Sequence, residues 1–241
     1  MQKTTILKLN QINQDFYQTQ GESFSQTRQS YWSGWTKLLP FIQKLKTSPL
    51  KVLDVGCGNG RFERFLREKV TTDLDYTGTD NSQKLLKLAK EKTNGQLIYL
   101  DLISHLLSHQ SVAPKNKKYD LIVLFGVLHH IPDQNLRKRL LTELANQLEP
   151  GGLLILTVWR FAELDRFKNK LIDPQSLGFT PAELEVGDWL VGWRTDGYRY
   201  AHALSNQELS DLLKTLPPAV GNFLADGRDQ QTNHYWLIKK H

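Results

Sequence analysis

Lys51 to Gly60 read K-V-L-D-V-G-C-G-N-G, and this run constrains the fold more than any other part of the chain. Val52, Leu53 and Val55 form a buried strand that enters glycines spaced G-x-G-x-G, with Asp54 just before them. Glycine lets a backbone turn sharply and approach a ligand, because no Cβ stands in the way. The spacing differs from the G-x-G-x-x-G of dinucleotide folds, in which a pyrophosphate rests on a helix N-terminus. Strands alternate with helical stretches along the chain, and 39% of residues are hydrophobic, so the core is of the α/β kind.

Asp54 at the strand end suits a cation such as a ligand ammonium. A cofactor with an amino-acid moiety and no phosphate fits that chemistry, and S-adenosylmethionine is the expected one. Its binding residues would be Asp54, Gly56, Cys57, Gly58, Asn59 and Gly60. At these residues the chain resembles class I methyltransferases, and the resemblance implies the rest of the fold. An acid should end the second strand and take the ribose hydroxyls, and Asp80 stands there with Asn81 beside it. Asp101 follows the third strand near the adenine, with Leu102 as apolar neighbour. The fourth strand begins at Tyr119 and Asp120 and ends at Phe125 and Gly126, facing the pocket. The fifth, Leu153 to Leu156, follows the turn Pro150-Gly151-Gly152. The implied architecture is a Rossmann-like, seven-stranded, mostly parallel sheet with an antiparallel last strand and helices on both faces. It carries an N-terminal helical extension and a lid insertion after strand five.

At 241 residues the chain is read as one domain. Its parts are an N-terminal helical segment (1–48), a cofactor-binding core (49–159), a lid or substrate insertion (160–204) and a closing helix and hairpin (205–241). No apolar run approaches a membrane span, and Met1 to Asn10 lack the marks of a signal peptide, so the cytoplasm is the expected location. The single cysteine, Cys57, excludes an intramolecular disulfide and a cysteine-rich zinc site, and no metal is expected. In the glycine loop it reads as a small residue that fits. A net charge of +6 permits a polyanionic partner without demanding one.

Residues 3–46 read as mostly helical, with a break at Ser48-Pro49. Further helices are expected at 61–69, at 82–93 with Ser82 near the start, and at 132–148, where Leu136, Leu140, Leu141, Leu144 and Leu148 keep helical spacing. Lys115, Asn116, Lys117 and Lys118 read as a solvated turn. Residues 160–196, rich in glycine and proline, read as a long irregular segment of the kind that forms lids. A short strand follows at Tyr198 to Leu204. Ser205 to Glu208 fit a capping box, which makes Glu208 structural. Residues 219–226 and 233–240 should close the sheet as an antiparallel hairpin.

The acceptor is narrowed by a second resemblance. Tyr17 with Phe24-Ser25-Gln26-Thr27-Arg28 resembles the Y-x6-F-S-x-T-R signature of the tRNA wobble-uridine carboxyl methyltransferases, which convert 5-carboxymethyluridine to its methyl ester. The likeness continues through Val127-Leu128-His129-His130, Gly151-Gly152, Val158-Trp159, Arg199-Tyr200-Ala201-His202 and Asn233-His234-Tyr235. It covers nearly the full chain from Tyr17. The chain departs from the family at Gln18, at Gly21, in the placing of Arg228 and Asp229, and at His234, which replaces a tryptophan. The methyl-donor motifs are untouched by these changes. The glycine loop and the histidine pair are shared with small-molecule methyltransferases such as quinone-biosynthesis enzymes, so a metabolite acceptor is the alternative.

The resemblance implies a tRNA anticodon loop as partner. It also implies a small zinc-binding activator on an apolar sheet edge, but no sequence feature announces that interface, and the chain is expected to act without one. Arg28 is the first choice for a cation facing an acceptor carboxylate, because a planar guanidinium suits that group. His130 should hydrogen-bond the acceptor, while His129 packs or caps. Trp159 forms an aromatic wall for the pyrimidine or simply packs in the core. Trp189, Trp193, Arg194, Tyr198, Arg199 and Tyr200 mix aromatics with arginines, which suits anticodon contacts. The same mix suits a lid docked on its own domain. Catalysis is thus assigned to Arg28, His130 and Trp159, and acceptor binding also to His129, Arg194, Arg199 and Tyr200.

Overall fold

Two helices precede the first strand, α1 (Lys3–Gln26) and α2 (Ser33–Ile42). In this computed structural model the described residues are 1–114, 117–194 and 197–241; Lys115 and Asn116 of the basic stretch lie outside them. The buried positions of α1 include Ile6, Leu9, Asn10, Asn13 and Phe16, spaced by three and four, so one face packs and carries two asparagines inward.

The core then alternates: β1 (Leu50–Val55), α3 (Arg61–Lys69), β2 (Leu74–Asp80), α4 (Gln83–Lys90), β3 (Gln96–Tyr99), α5 (Leu102–Leu107), β4 (Tyr119–Leu124), α6 (Gln134–Asn146) and β5 (Leu148–Trp159). After an insertion, α8 (Asn206–Leu213), β9 (Ala219–Ala225) and β10 (Asn233–Lys239) complete it. The sheet has seven strands in the order β3-β2-β1-β4-β5-β10-β9. β1 to β5 run parallel, and β10 lies antiparallel to both β5 and β9. This is the architecture that the glycine loop implies.

Alternation along the strands divides the core in two. Leu53, Val55, Ile122 and Leu124 join Leu140 and Leu144 of α6 on one face. Val52, Leu121 and Val123 join Trp35 and Leu38 of α2 and Phe62 and Phe65 of α3 on the other. Truncating Leu53 to alanine in so closed a layer costs about 2–5 kcal/mol.

The insertion differs from the irregular segment expected at 160–196. It holds α7 (Asp165–Lys168), β6 (Leu171–Ile172) and β7 (Asp188–Trp193), and β7 pairs on one side with β6 and on the other with β8 (Gly197–His202) in a second, three-stranded antiparallel sheet. Glycine and proline density hides β7, whose Trp189-Leu190-Val191 core is of strand composition. α5 was not foreseen; Asp101 caps it by accepting from the amides of Ile103 and Ser104. Ser82 caps α4 as expected. At α8, Ser205 caps Glu208 N, but the Glu208 carboxylate goes to Arg137 and His202, so only half of the capping box forms. No described helix is long and apolar enough to cross a membrane.

Candidate active site

A cavity of about 780 Å³ lies at the carboxyl ends of the parallel strands, where α/β sheets collect their ligands. α1 and the segment joining it to α2 form its roof, and the insertion forms its far wall.

The glycine loop after β1 is shaped by backbone needs. Gly56, Gly58 and Gly60 all have positive φ. A Cβ at Gly56 would lie 2.2 Å from Val127, and one at Gly60 would lie 2.3 Å from Thr93. A Cβ at Gly58 would meet no described atom within 4 Å, so there the bare backbone faces the cavity. Gly58 N donates to Asp80 Oδ2 at 2.9 Å, and Ser82 N donates to Asp80 Oδ1 at 2.8 Å. Burial pushes the Asp80 carboxyl up, and the amides of Ser82, Gly58 and Asn81 hold it back. Asp54 accepts the Tyr76 hydroxyl at 2.7 Å, and burial pushes its carboxyl up to about 7. An acid kept so far from water, on the cavity wall, is prepared for a cationic partner. The Cys57 thiol is buried and pushed well up, which fits a packing residue rather than a nucleophile.

Not every expected donor contact is free. Asn59 donates its amide to Ser25 Oγ at 2.8 Å and to the Arg28 carbonyl at 3.3 Å, fastening the roof to the loop. Asp101 is occupied as a cap and by Asn10 and Gln14 of α1, while Leu102 beside it lines the cavity. Phe125 packs against Trp35 and Phe62 with one edge in the cavity, and Gly126 N donates to Thr157 Oγ1 at 2.9 Å.

On the acceptor side the expectations for the histidines need correcting. His130 Nδ1 lies 2.7 Å from the Tyr200 carbonyl oxygen, and Nε2 lies 2.9 Å from the Tyr17 hydroxyl. A carbonyl only accepts, so Nδ1 carries the proton and Nε2 accepts from Tyr17. Burial, with Arg199 nearby, pushes this imidazole down to about 3, and it stays neutral. His129 Nδ1 has no hydrogen-bond partner among the described residues, and its ring packs on Trp159 with centroids 4.9 Å apart. Tyr17 was singled out only as a motif letter. Its spacing of seven from Phe24, two turns of one helix face, was the available signal.

Three arginines line the cavity with no paired carboxylate among the described residues: Arg28, Arg199 and Arg61, the last donating to the Ser30 carbonyl at 2.7 Å. Arg28 stacks on Phe24, 3.5 Å from its ring centre, and burial and Arg199 push it down to about 9. Arg199 is 6% exposed and lies over the rings of Trp159, Phe16, Phe24 and Trp193 at 4.9 to 5.7 Å. Its Nε and Nη1 have no hydrogen-bond partner among the described residues. Trp159 lines the cavity between Arg199 and Phe167. Two expected contacts fall outside the cavity wall. Tyr200 is fully buried, and its hydroxyl donates to Asp188 at 2.7 Å. Arg194 is exposed and turned onto the Trp193 ring. Strand alternation explains Tyr200, whose side chain leaves the opposite face of β8 from Arg199.

The chain is similar to several known proteins. A family model described as "Methyltransferase domain" matches residues 24–215. The tRNA (carboxymethyluridine(34)-5-O)-methyltransferase of Arabidopsis thaliana is 28% identical over 143 residues, 59% of this chain and 31% of that protein. The chain thus spans less than a third of that relative. A protein of the same name from Schizosaccharomyces pombe is 26% identical over 232 residues, 89% of this chain and 90% of that one. The crystal structure of an S-adenosylmethionine-dependent methyltransferase from Clostridium acetobutylicum superposes with a TM-score of 0.62 at 16% identity, covering 89% of this chain and 94% of that one, a likeness of fold.

Proposed function

The chain belongs to the methyltransferase-domain family, and on that premise we propose that it transfers a methyl group from S-adenosylmethionine to the carboxylate of a modified wobble uridine in tRNA. The donor residues fit: Asp54 would take the ammonium, Gly58 leaves room for the chain of the amino acid, Asp80 would take ribose hydroxyls, and Leu102 with Ile103 would cover the adenine. When bound, the donor supplies an electrophilic methyl carbon on a sulfonium.

The observation that carries the acceptor reading is Arg199, a buried guanidinium on the cavity wall whose Nε and Nη1 have no partner among the described residues. Burying an unpaired charge is costly, and a carboxylate is the group that offsets it in a planar, charge-assisted pair. A carboxylate is ionised at neutral pH, with an ordinary value of about 4, and needs no general base. The site agrees, since His130 is neutral and both its nitrogens are used. Catalysis then rests on orientation and exclusion of water, worth roughly 7–11 kcal/mol in favourable cases. Arg199 and Arg28 hold the carboxylate, and the Trp159 and Trp193 rings offer stacking surfaces worth about 1–3 kcal/mol per base. A wobble base would enter by extrusion from its loop. The names of the Arabidopsis and fission-yeast relatives support the tRNA reading.

A small carboxylate metabolite is the second reading, favoured by the aromatic lining of Phe24 and Trp32 in the roof and Trp193 in the far wall. Incubation with labelled donor and either bulk RNA or a metabolite extract separates the two. Label in RNA nucleosides supports the first, and label only in small molecules removes it.

A further inference from the structure

Strand alternation splits the run Arg199 to His202 between two environments. Arg199 and Ala201 leave β8 toward Trp159 and the cavity, and Tyr200 and His202 leave it toward a buried polar cluster. Asp188 Oδ1 accepts from the Tyr200 hydroxyl at 2.7 Å and from His202 Nδ1 at 2.8 Å, and Oδ2 accepts from Glu185 N at 2.9 Å. His202 Nε2 reaches Glu208 Oε2 at 2.8 Å. Arg137, 1% exposed, joins Glu208 at 2.5 Å to Glu185 at 2.6 Å. Both ring nitrogens of His202 face carboxylates, so both donate and no lone pair remains for a metal, although Glu185, Asp188 and His202 lie close enough to suggest one.

The cluster ties α6, the loop before β7, the β7–β8 hairpin and α8 together at the one strand that serves the acceptor side twice. β8 supplies the Arg199 side chain, and it supplies the Tyr200 carbonyl that fixes the His130 tautomer. We propose that Asp188 and His202 are positioning residues for the acceptor site, holding β8 so that Arg199 lies in the cavity and His130 presents its lone pair to Tyr17. Neither touches the cavity. The inference rests on the acceptor site proposed above, but its physical content is the seating of β8.

Asp188→Asn and His202→Gln keep shape while removing the charges that hold the hairpin. In the full-length chain, amide hydrogen exchange in residues 197–202 should quicken roughly tenfold. S-adenosylmethionine affinity by calorimetry should stay within about twofold, the sites being apart. The apparent KM for total tRNA should rise roughly 10- to 100-fold, as a misplaced contact residue costs. Glu208→Gln, which removes the charge facing His202 Nε2 and Arg137 but leaves an acceptor there, should move the same readouts in the same order but less, and serves if Asp188→Asn does not fold. Unchanged exchange in β8 overturns the proposal, as does loss of donor affinity in step with loss of transfer. If the wild type transfers nothing to tRNA, the function reading fails, while hydrogen exchange in β8 still decides this one.

Discussion

The Tyr17 hydroxyl donates to His130 Nε2 across 2.9 Å, joining α1 to the turn after β4 over the cavity. Because the Tyr200 carbonyl holds the proton on Nδ1, this contact uses the one lone pair with which His130 could act as a base. With a carboxylate acceptor, kcat should therefore show no ionisation of His130 between pH 5 and pH 8. A kinetic step near the ordinary histidine value of about 6.5, lost in His130→Gln, would contradict it.

If Asp54 takes the donor ammonium as proposed, donor affinity depends on pH. Its carboxyl sits at about 7, and a cation is held only by the ionised form. Affinity for S-adenosylmethionine should weaken as pH falls through that value, and binding below it should release a proton. Calorimetry in buffers of different ionisation enthalpy reads both. In Asp54→Asn the pH dependence should vanish and the affinity should fall.

Arg199 trades stability for function. Removing an unpaired buried charge should raise stability by about 1–4 kcal/mol, so Arg199→Met should melt higher than the wild type. It should also lose at least roughly 100-fold in transfer while binding the donor normally. Arg28→Ala should likewise weaken transfer far more than donor binding. A lower melting temperature for Arg199→Met would mean that its contacts with Trp159 and Phe24 outweigh its buried charge.

His202 gives stability a pH dependence. Burial lowers its basicity, but Asp188 and Glu208 raise it more, against the opposing charge of Arg137, with Glu185 at 4.0 Å, and the net shift is upward. A group with a raised folded value stabilises fully below its unfolded value, about 6.5, and the contribution is lost as pH rises through the folded value. Chemical denaturation from pH 6 upward should show declining stability in the wild type. In His202→Gln that decline should be shallower, because the part that remains up to about pH 7 belongs to Asp54.

The sheet edges bear on whether an activator is needed. The two edge strands differ: β3 is four residues long and leaves little edge to protect, whereas β9 runs seven residues and is the edge an activator would cover if one were needed. The chain expressed alone should remain monodisperse and bind donor. Aggregation rescued by a zinc-binding partner would contradict this.

The geometry of the glycine loop and its flanking acids was legible because it is local. Gly56, Gly58 and Gly60 announce a backbone that must turn and stay bare, and Asp54 and Asp80 stand at strand ends whatever packs later. The acceptor half depends on contacts distant in sequence. Arg28 and Arg199 look alike as letters, and only the rings around Arg199 make it the more deeply buried charge. His130 looked free until Tyr200 and Tyr17 closed on it. Asn59 was read as a donor contact, yet its amide secures Ser25 and the Arg28 carbonyl. In the insertion, Pro174, Pro181 and Gly192 masked strands that form because β7 finds β8.

Alkali separates the central claim from its rivals. A methyl ester hydrolyses in mild base and releases methanol, whereas a methyl group on a ring atom or a ribose oxygen does not. RNA methylated by this protein with labelled donor should lose its label as volatile methanol after mild alkali, and the Arg199→Met variant should give none. Label that stays on the nucleoside through the same treatment would place the methyl on another atom and contradict the account.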